Sequence, residues 1–522
     1  MNDRKLALQP HFGVRMKQFS IRCYHASATL VLSAAVALQA EPIPAHYSRL
    51  LRARFKGHDE KALADLACMM RDDGRHGRNR GDRERGGDLP VSGYVYFGQF
   101  IDHDITRDEL KPDDPVVPPE ERVNHRTPYL DLDSLYGNGP ADHSKHLYEG
   151  PDDRAQFRLG MTQAARRGDT NEELPPTLDD LPRTNGITDL GDDRNDENLI
   201  LAQLHVAFLQ FHNRVLECFL EDRIPDPERY GETPFERARR FVTWHYQYIV
   251  VHDFLQKLIL KAVWEKRDDR SWRLFKPNLG RDVALPVEFT QAAFRFGHSM
   301  VQNEYSLQGR GRIPLTDLLL KTEPGTPSPV LTADKVIDWE LFVRDISRAN
   351  RADNIDTLIA DAMYHLPPAS LAVFWAKRPL TVDMPLPAIT LLRGSRIGLP
   401  SGQELCAAYK IEPLREDKIA FNQKAYDLFK EHDMLARTPL WYYVLREAEI
   451  LGVHKSHGGE CLGPVGSCII LDVLLGILEA DPESYLAKSP NWTPPGFSAS
   501  ESGKKWRIDS LSRLVMFAKT KT

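Results

Sequence analysis

The segment Gln99-Phe100-Ile101-Asp102-His103-Asp104 puts an amide, a histidine and two carboxylates in one short stretch, directly after the aromatic run Tyr94-Val95-Tyr96-Phe97. On a helix, Gln99 and His103 share a face at spacing i,i+4, with Asp102 close to it, while Asp104 is turned about 100° away from His103. One helix could then serve two sites: a pocket with an acid–base histidine on one side and a cation on the other. The plainer reading is an amphipathic helix with a buried, satisfied His–Asp pair.

Three more segments bear on that choice. Thr127-Pro128-Tyr129-Leu130-Asp131-Leu132-Asp133-Ser134 alternates oxygen-bearing and apolar residues. In an extended or looped backbone every second side chain shares a direction, so Thr127, Asp131 and Asp133 converge, with a main-chain carbonyl near Tyr129. Asp104 could complete that shell, and an all-oxygen, multi-carboxylate set suits a hard cation such as calcium. EF-hand spacing is lacking, and a solvated acidic loop is the alternative. Gly191-Asp192-Asp193-Arg194-Asn195-Asp196-Glu197 precedes a helix starting near Asn198, and Arg194 and Glu197 at i,i+3 could face one pocket. Heterolysis of a peroxide needs a histidine that takes the incoming proton and returns it to the leaving oxygen. It also needs an arginine that stabilises the charge developing there. A surface salt bridge with acids at a helix start is the competing reading. In Phe294-Arg295-Phe296-Gly297-His298-Ser299, Gly297 removes a side chain where a flat ligand could approach. Arg295 could meet an anionic ligand edge, and neutral imidazole from His298 is a good iron ligand. A core histidine capped by a carbonyl is the alternative.

The elements that must position these residues read as mostly helical. The 522 residues are 42% hydrophobic and 27% charged, the balance of a globular protein. A formal net charge of −6 gives no reason to expect nucleic acid or an anionic membrane as partner. Apolar periodicity predicts helices over Asn198–Leu220, Pro234–Lys266 and Val287–Gln302, with further stretches at Trp339–Asp353, Ser370–Phe374, Gly402–Tyr409 and Thr438–Leu451 and an apolar core segment at Val465–Leu478. Polar, proline-rich connectors separate them, and the basic run from Arg71 to Arg85 reads as a solvated loop. The expectation is a mainly α, large single domain with long loops and little sheet over 46–488, an N-terminal arm over 1–45 and a weakly structured tail over 489–522. Ala28–Ala40 is about half the length of a membrane helix, so no transmembrane anchor is expected. Preceded by Met16, Lys17 and Arg22, and containing Ala35-Val36-Ala37, it resembles a signal peptide counted from Met16. An amphipathic arm is the alternative, so secreted or periplasmic placement stands beside a cytoplasmic one. Cysteines are scattered without any CxxC, which excludes a zinc signature; for Cys461 and Cys468, a disulfide and free buried thiols both remain open.

Taken together and in this order, Phe97–Asp104, Thr127–Gly137, Gly191–Glu197, His212-Asn213-Arg214 and Phe294–His298 resemble the animal-type haem peroxidases of the peroxidase–cyclooxygenase superfamily, over roughly Val91 to Leu478. The resemblance implies a helical haem peroxidase fold, haem b and calcium as cofactors, and hydrogen peroxide as substrate. It implies a halide, thiocyanate or small organic electron donor and a place in the response to oxidative stress. It makes His103 the acid–base histidine, Gln99 the glutamine that holds water or substrate, Arg194 the charge-stabilising arginine and His298 the iron ligand. Arg295 matches the partner of a haem propionate. Asp102 and Glu197 match the carboxylates that esterify haem methyl groups in mammalian members. Asp104, Thr127, Tyr129 through its carbonyl, Asp131 and Asp133 match the calcium shell. Two departures stand out. Gln403, in the stretch Arg393–Gln403, falls where an asparagine holds the iron-ligating histidine, and a longer amide could still accept its Nδ1 proton. Asn198 follows Glu197, so the sulfonium link that needs methionine there is not expected.

Three rivals remain. A fatty-acid dioxygenase of the cyclooxygenase-like branch needs a tyrosine one turn before the iron ligand, where this chain has Arg295. A metal-dependent phosphohydrolase would use the pairs His103-Asp104 and His252-Asp253. A non-catalytic matrix protein would not need His103, Arg194 and His298 together. The residues leave the electron donor and the oligomeric state open.

Overall fold

A computed structural model of the chain describes residues 45–52, 55–72, 89–108, 117–142, 146–168, 170–225, 232–278, 283–309, 311–319, 327–345, 349–366, 384–498 and 505–520. The expected arm and signal-like segment, most of the basic run and Ser370–Phe374 lie outside them. Among the described residues ten helices have eight or more residues: α1 (Glu60–Met69), α2 (Gly93–Ile105), α3 (Leu199–Leu220), α4 (Pro234–Ile249), α5 (Leu386–Arg396), α6 (Gly402–Tyr409), α7 (Gln423–Glu431), α8 (Leu440–Leu451), α9 (Pro464–Ala480) and α10 (Leu511–Ala518). Strands are short. Ala45–Ser48 pairs in parallel with Leu285–Pro286 and antiparallel with Val123–Asn124, and the remaining pairs are two-stranded. Residues Pro44–Thr522 form one compact unit around a continuous apolar core running from Tyr47 to Ala518.

Local chemistry sets the helix starts. Asn198 caps α3 by accepting the Leu201 N–H, and the 22 residues that follow contain neither proline nor glycine. Nearly every face of α3 is buried, because α2, α4 and α10 all pack on it. Thr233 and Glu236 form a capping box at α4, with Pro234 at the first helical position; Ser401 and Glu404 do the same for α6. Gly402 lies flat against the ring of Tyr443 in α8, where an added Cβ would stand 1.9 Å from the ring carbon Cγ.

Several boundaries differ from expectation. The Pro234–Lys266 helix is interrupted: α4 passes into a π turn at Val250–Phe254 and ends at Leu258, after which Ile259 is extended. The Leu260 N–H donates to Ser467 Oγ of α9 (2.9 Å), replacing the helical bond. Val287–Gln302 is not one α-helix but a single turn, Val287–Thr290, followed by a tight 3₁₀ segment, Ala293–Ser299. Side chains take the carbonyls involved: Arg295 Nε donates to Thr290 O (3.0 Å) and Trp441 Nε1 to Arg295 O (3.1 Å). Among the described residues of Trp339–Asp353, only Glu340–Val343 is helical. In its described residues the expected weakly structured tail instead has an antiparallel strand pair, Gly496–Ser498 with Lys505–Arg507, and α10. Leu511, Leu514, Val515 and Ala518 give α10 a buried stripe, and Phe517 meets Phe211 of α3 edge-on at 5.9 Å. Cys461 and Cys468 are both free and buried. No described helix is long and apolar enough to cross a membrane.

Candidate active site

Helix α2, the turn Asp193–Asp196, the 3₁₀ segment Ala293–Ser299 and α5 enclose a cavity of about 490 Å³. Gln99, Asp102, His103, Arg194, Glu197, Arg295 and His298 all line it, so segments up to 199 positions apart converge there. Arg393 from α5 lines it as well.

His103 is buried, and its Nδ1 lies 2.9 Å from Asn195 Oδ1. A carbonyl oxygen only accepts, so Nδ1 carries the proton and Nε2 keeps its lone pair. Asn195 is itself fully buried and turns its Nδ2 to His205 Nδ1 (3.1 Å). Burial, then the charge of Arg194, pushes the His103 pKa down to about 3. At neutral pH the ring is therefore an uncharged base with its accepting nitrogen fixed.

Arg194 is held by a group that sequence reasoning passed over. Asp192, buried to 0% exposure, accepts Arg194 N–H (3.0 Å), Nε (3.0 Å) and Nη2 (2.8 Å). Nη2 also donates to the carbonyls of His103 (3.0 Å) and Thr106 (2.7 Å), pinning the guanidinium to the end of α2. Burial opposes ionisation of Asp192, but Arg194 and Arg126 overcome it and hold its pKa far below the carboxylate range.

Gln99 donates to Glu197 Oε2 (3.3 Å) and accepts from Asn198 Nδ2 (3.2 Å). Burial raises the Glu197 carboxyl to about 7, and burial also raises Asp102, which accepts from Thr106 Oγ1 at 3.2 Å. Burial and the neighbouring Arg295 charge lower Arg393 to about 9. Two cations forced together at the wall of one cavity leave a place for anionic groups.

His298 lines the cavity, with its Nδ1 buried and unpaired and the Trp441 ring 6.0 Å away, centroid to centroid. Burial, with the charges of Arg295 and Arg393, lowers its pKa to about 3, so the imidazole is neutral and fit to ligate a metal. Gln403 is not its partner. Gln403 Nε2 donates to Leu435 O (2.9 Å) and Thr438 Oγ1 (2.8 Å), and its Oε1 accepts the Thr438 N–H (3.1 Å). Both ends of the amide are consumed by the loop before α8. A haem nevertheless fits the residues present. Nδ1 is sealed in protein, which leaves Nε2 for iron; a Cβ on Gly297 would meet nothing within 4 Å; and two arginines could take propionates.

On the other side of α2, Asp104, Asp131 and Asp133 bring carboxylate oxygens within 4.8 Å of one another. Thr127 Oγ1 donates to Asp131 (2.8 Å), the Thr127 N–H to Asp133 (3.1 Å), and the Leu132 N–H and Ser134 Oγ to Asp104 (3.2 and 3.1 Å). Tyr129 lies in the same loop, partly buried against the core. Burial and mutual repulsion raise Asp104 well above the carboxylate range and Asp133 to about 7. Asp133 Oδ1 is buried without a partner. Such an oxygen set fits a calcium ion. It is the one group of three or more such side chains among the described residues, so the two His–Asp pairs do not combine into a metal site.

Residues 103–481 match the family model described as animal haem peroxidase. The chain is 27% identical to a peroxidase-like protein of Margaritifera margaritifera, over 54% of this chain and 35% of that protein. It is 23% identical to thyroid peroxidase of Sus scrofa, over 76% of this chain and 41% of that protein. It thus spans less than half the length of either relative. Peroxidase A from Dictyostelium discoideum superposes with a TM-score of 0.55 at 18% identity, covering 85% of this chain and 89% of that one. A fatty acid alpha-dioxygenase of Oryza sativa does so with 0.51 at 14%, covering 90% and 79%. These last two establish likeness of fold.

Proposed function

We propose, since this chain belongs to the animal haem peroxidase family, that it binds haem b through His298 and reduces hydrogen peroxide, oxidising a halide, thiocyanate or small organic donor. The observation that carries the reading is one cavity shared by a neutral base, His103, a pinned arginine, Arg194, and a metal-competent imidazole, His298.

The haem would supply an iron that binds peroxide and stores its two oxidising equivalents. His103 Nε2 takes the proton from the incoming peroxide and returns it to the leaving oxygen as water forms. Arg194 cannot swing away from its anchors on Asp192 and α2, so its charge meets the leaving oxygen without reorganisation. Gln99, held by Glu197 and Asn198, orients the small molecule beside His103. Arg295 and Arg393 would hold the propionates. Asp102 and Glu197, both protonated more readily than ordinary carboxyls, are the candidates for ester links. Asp104, Asp131, Asp133, Thr127 and the Tyr129 carbonyl would hold calcium, which fixes the end of α2 and with it His103.

The test is stopped-flow absorbance of haem-loaded protein mixed with hydrogen peroxide. The Soret band should shift within the mixing experiment. His103→Ala should keep its haem yet react about 10²–10⁴-fold more slowly. Equal rates would remove His103 from the chemistry.

A further inference from the structure

Tyr47, Tyr94 and Tyr96 all line the cavity, yet the reaction above uses none of them. Their surroundings differ. Tyr47 faces an amide, Asn124, at 3.5 Å, and Tyr96 lies edge-on to Tyr305. Tyr94 alone of the three donates to a carboxylate, Asp253 Oδ2, over 2.6 Å. A phenol that loses an electron becomes far more acidic, so its oxidation is easy only where a base stands ready for the proton.

We propose that Tyr94 is a redox-active residue that carries oxidising equivalents from the cavity to donors too large to enter it. Asp253 sits in the π turn and is held by the Leu511 N–H at the start of α10 (2.9 Å), so the acceptor is positioned from two elements. Burial raises its pKa, which makes it a better base than an exposed aspartate. Beyond it the path reaches solvent. Lys257 Nζ lies 5.2 Å from the centre of the Tyr94 ring and 3.7 Å from Asp253, and it also pairs with Asp345, whose side chain is 64% exposed. Tyr94 is thus bounded by the cavity on one side and a surface ion-pair cluster on the other.

The inference rests on the peroxidase reading, which supplies the oxidant. Tyr94 gives one electron to the cofactor oxidised by peroxide, and the phenolic proton moves to Asp253. A surface donor then returns one electron to Tyr94, and the proton goes back. Two such cycles consume the two equivalents of one peroxide. The His252-Asp253 pair is thereby divided: Asp253 serves Tyr94, while His252 Nε2 lies 3.3 Å from the Tyr485 hydroxyl.

The experiment uses the haem-loaded full chain, produced with ring-deuterated tyrosine, mixed with hydrogen peroxide and freeze-quenched for electron paramagnetic resonance. The wild type should give an organic radical narrowed by deuteration. Tyr94→Phe should lose it. Asp253→Asn, which keeps the phenol and an oxygen for Leu511, should weaken it. Both variants should lower the rate with ferrocytochrome c relative to iodide. An undiminished tyrosyl signal in Tyr94→Phe, or a Soret shift in the wild type with no tyrosyl signal, overturns this role alone. An unshifted Soret band overturns the peroxidase reading and this role with it.

Discussion

Asn195 connects the His103 ring to the protein interior, and its replacement by alanine separates two effects of different size. The side chain is fully buried and makes two hydrogen bonds, 2.9 Å to His103 and 3.1 Å to His205. Alanine leaves two imidazole nitrogens buried and unsatisfied at about 1–3 kcal/mol each, so stability should fall by roughly 2–6 kcal/mol. Catalysis should suffer less. The bond to Oδ1 fixes the proton on Nδ1, and a neutral hydrogen bond contributes about 0.5–1.5 kcal/mol, so without it the proton can move to Nε2. The ratio of the two tautomers then shifts by up to about tenfold, so the fraction of His103 able to act as base drops from nearly all to about half, roughly twofold. The peroxide reaction should slow by that factor, against about 10²–10⁴ for His103→Ala. Asn195→Asp gives a different signature. A carboxylate still accepts from Nδ1 but favours imidazolium, so it raises the pKa that burial holds near 3. The wild-type rate should be flat between pH 8 and 5, and that of Asn195→Asp should fall as the solution is acidified. The assay is the second-order rate of the Soret shift against pH, with a melting curve for each variant. Asn195→Ala reacting as fast as wild type, or Asn195→Asp with no loss in acid, would refute the argument that Asn195 sets the tautomer.

His298→Ala should remove the imidazole that would hold haem iron, seen as loss of the histidine-ligated haem spectrum; a retained spectrum would transfer the role to another histidine. Metal analysis of purified protein should find about one tightly held calcium per chain, and Asp131→Ala or chelation should lower both melting temperature and turnover. If calcium is absent and neither treatment matters, the loop is only acidic. Brief peroxide treatment should make part of the haem resist acidified organic extraction, with Asp102→Asn and Glu197→Gln each removing one link; complete extraction before and after treatment would dispose of both esters. Glu447 is fully buried, accepts the Val465 N–H at 2.8 Å, and is raised by burial to about 8. Its folded pKa exceeds the unfolded value, so the native chain holds a proton that the unfolded chain has released. That contribution is complete below about pH 4 and is lost as pH rises toward 8. Glu447→Gln should therefore flatten the fall in melting temperature between pH 5 and pH 9, and an unchanged slope would count against the assignment.

The parts of this molecule that were legible in its sequence are those set by near neighbours. The face shared by Gln99 and His103, the opposite turn of Asp104 and the bounds of α6 follow from helical period alone. Where distant groups decide, the sequence misleads. In the 3₁₀ segment around His298 the Arg295 carbonyl accepts from Trp441, far along the chain. Gln403 lies at a suggestive spacing, but Leu435 and Thr438 claim both ends of its amide. Asn195 stood inside a segment already singled out, yet its role appears only once His205 is seen on its other side. Arg393 carried no local pattern, because only the packing of α5 brings it to the cavity. The apolar stripe of α10 was readable, and its destination on α3 was not.

The contact of Gly402 with Tyr443 constrains the order in which this chain can change by mutation. Even one methyl group at 402 would collide with the ring, so that position is closed while Tyr443 remains. Tyr443 is not readily given up, since its hydroxyl accepts the Leu414 N–H at 2.8 Å and lies 3.2 Å from Cys406 Sγ. A lineage that enlarges position 402 must first shrink the ring and re-house those partners, crossing a poorly stable intermediate. Trp441 precedes Tyr443 by two residues on α8, about 200° round the helix from it, and its ring stands 6.0 Å from that of His298. History at residue 402 is thus tied to the helix that walls His298, and variants there should be found in pairs.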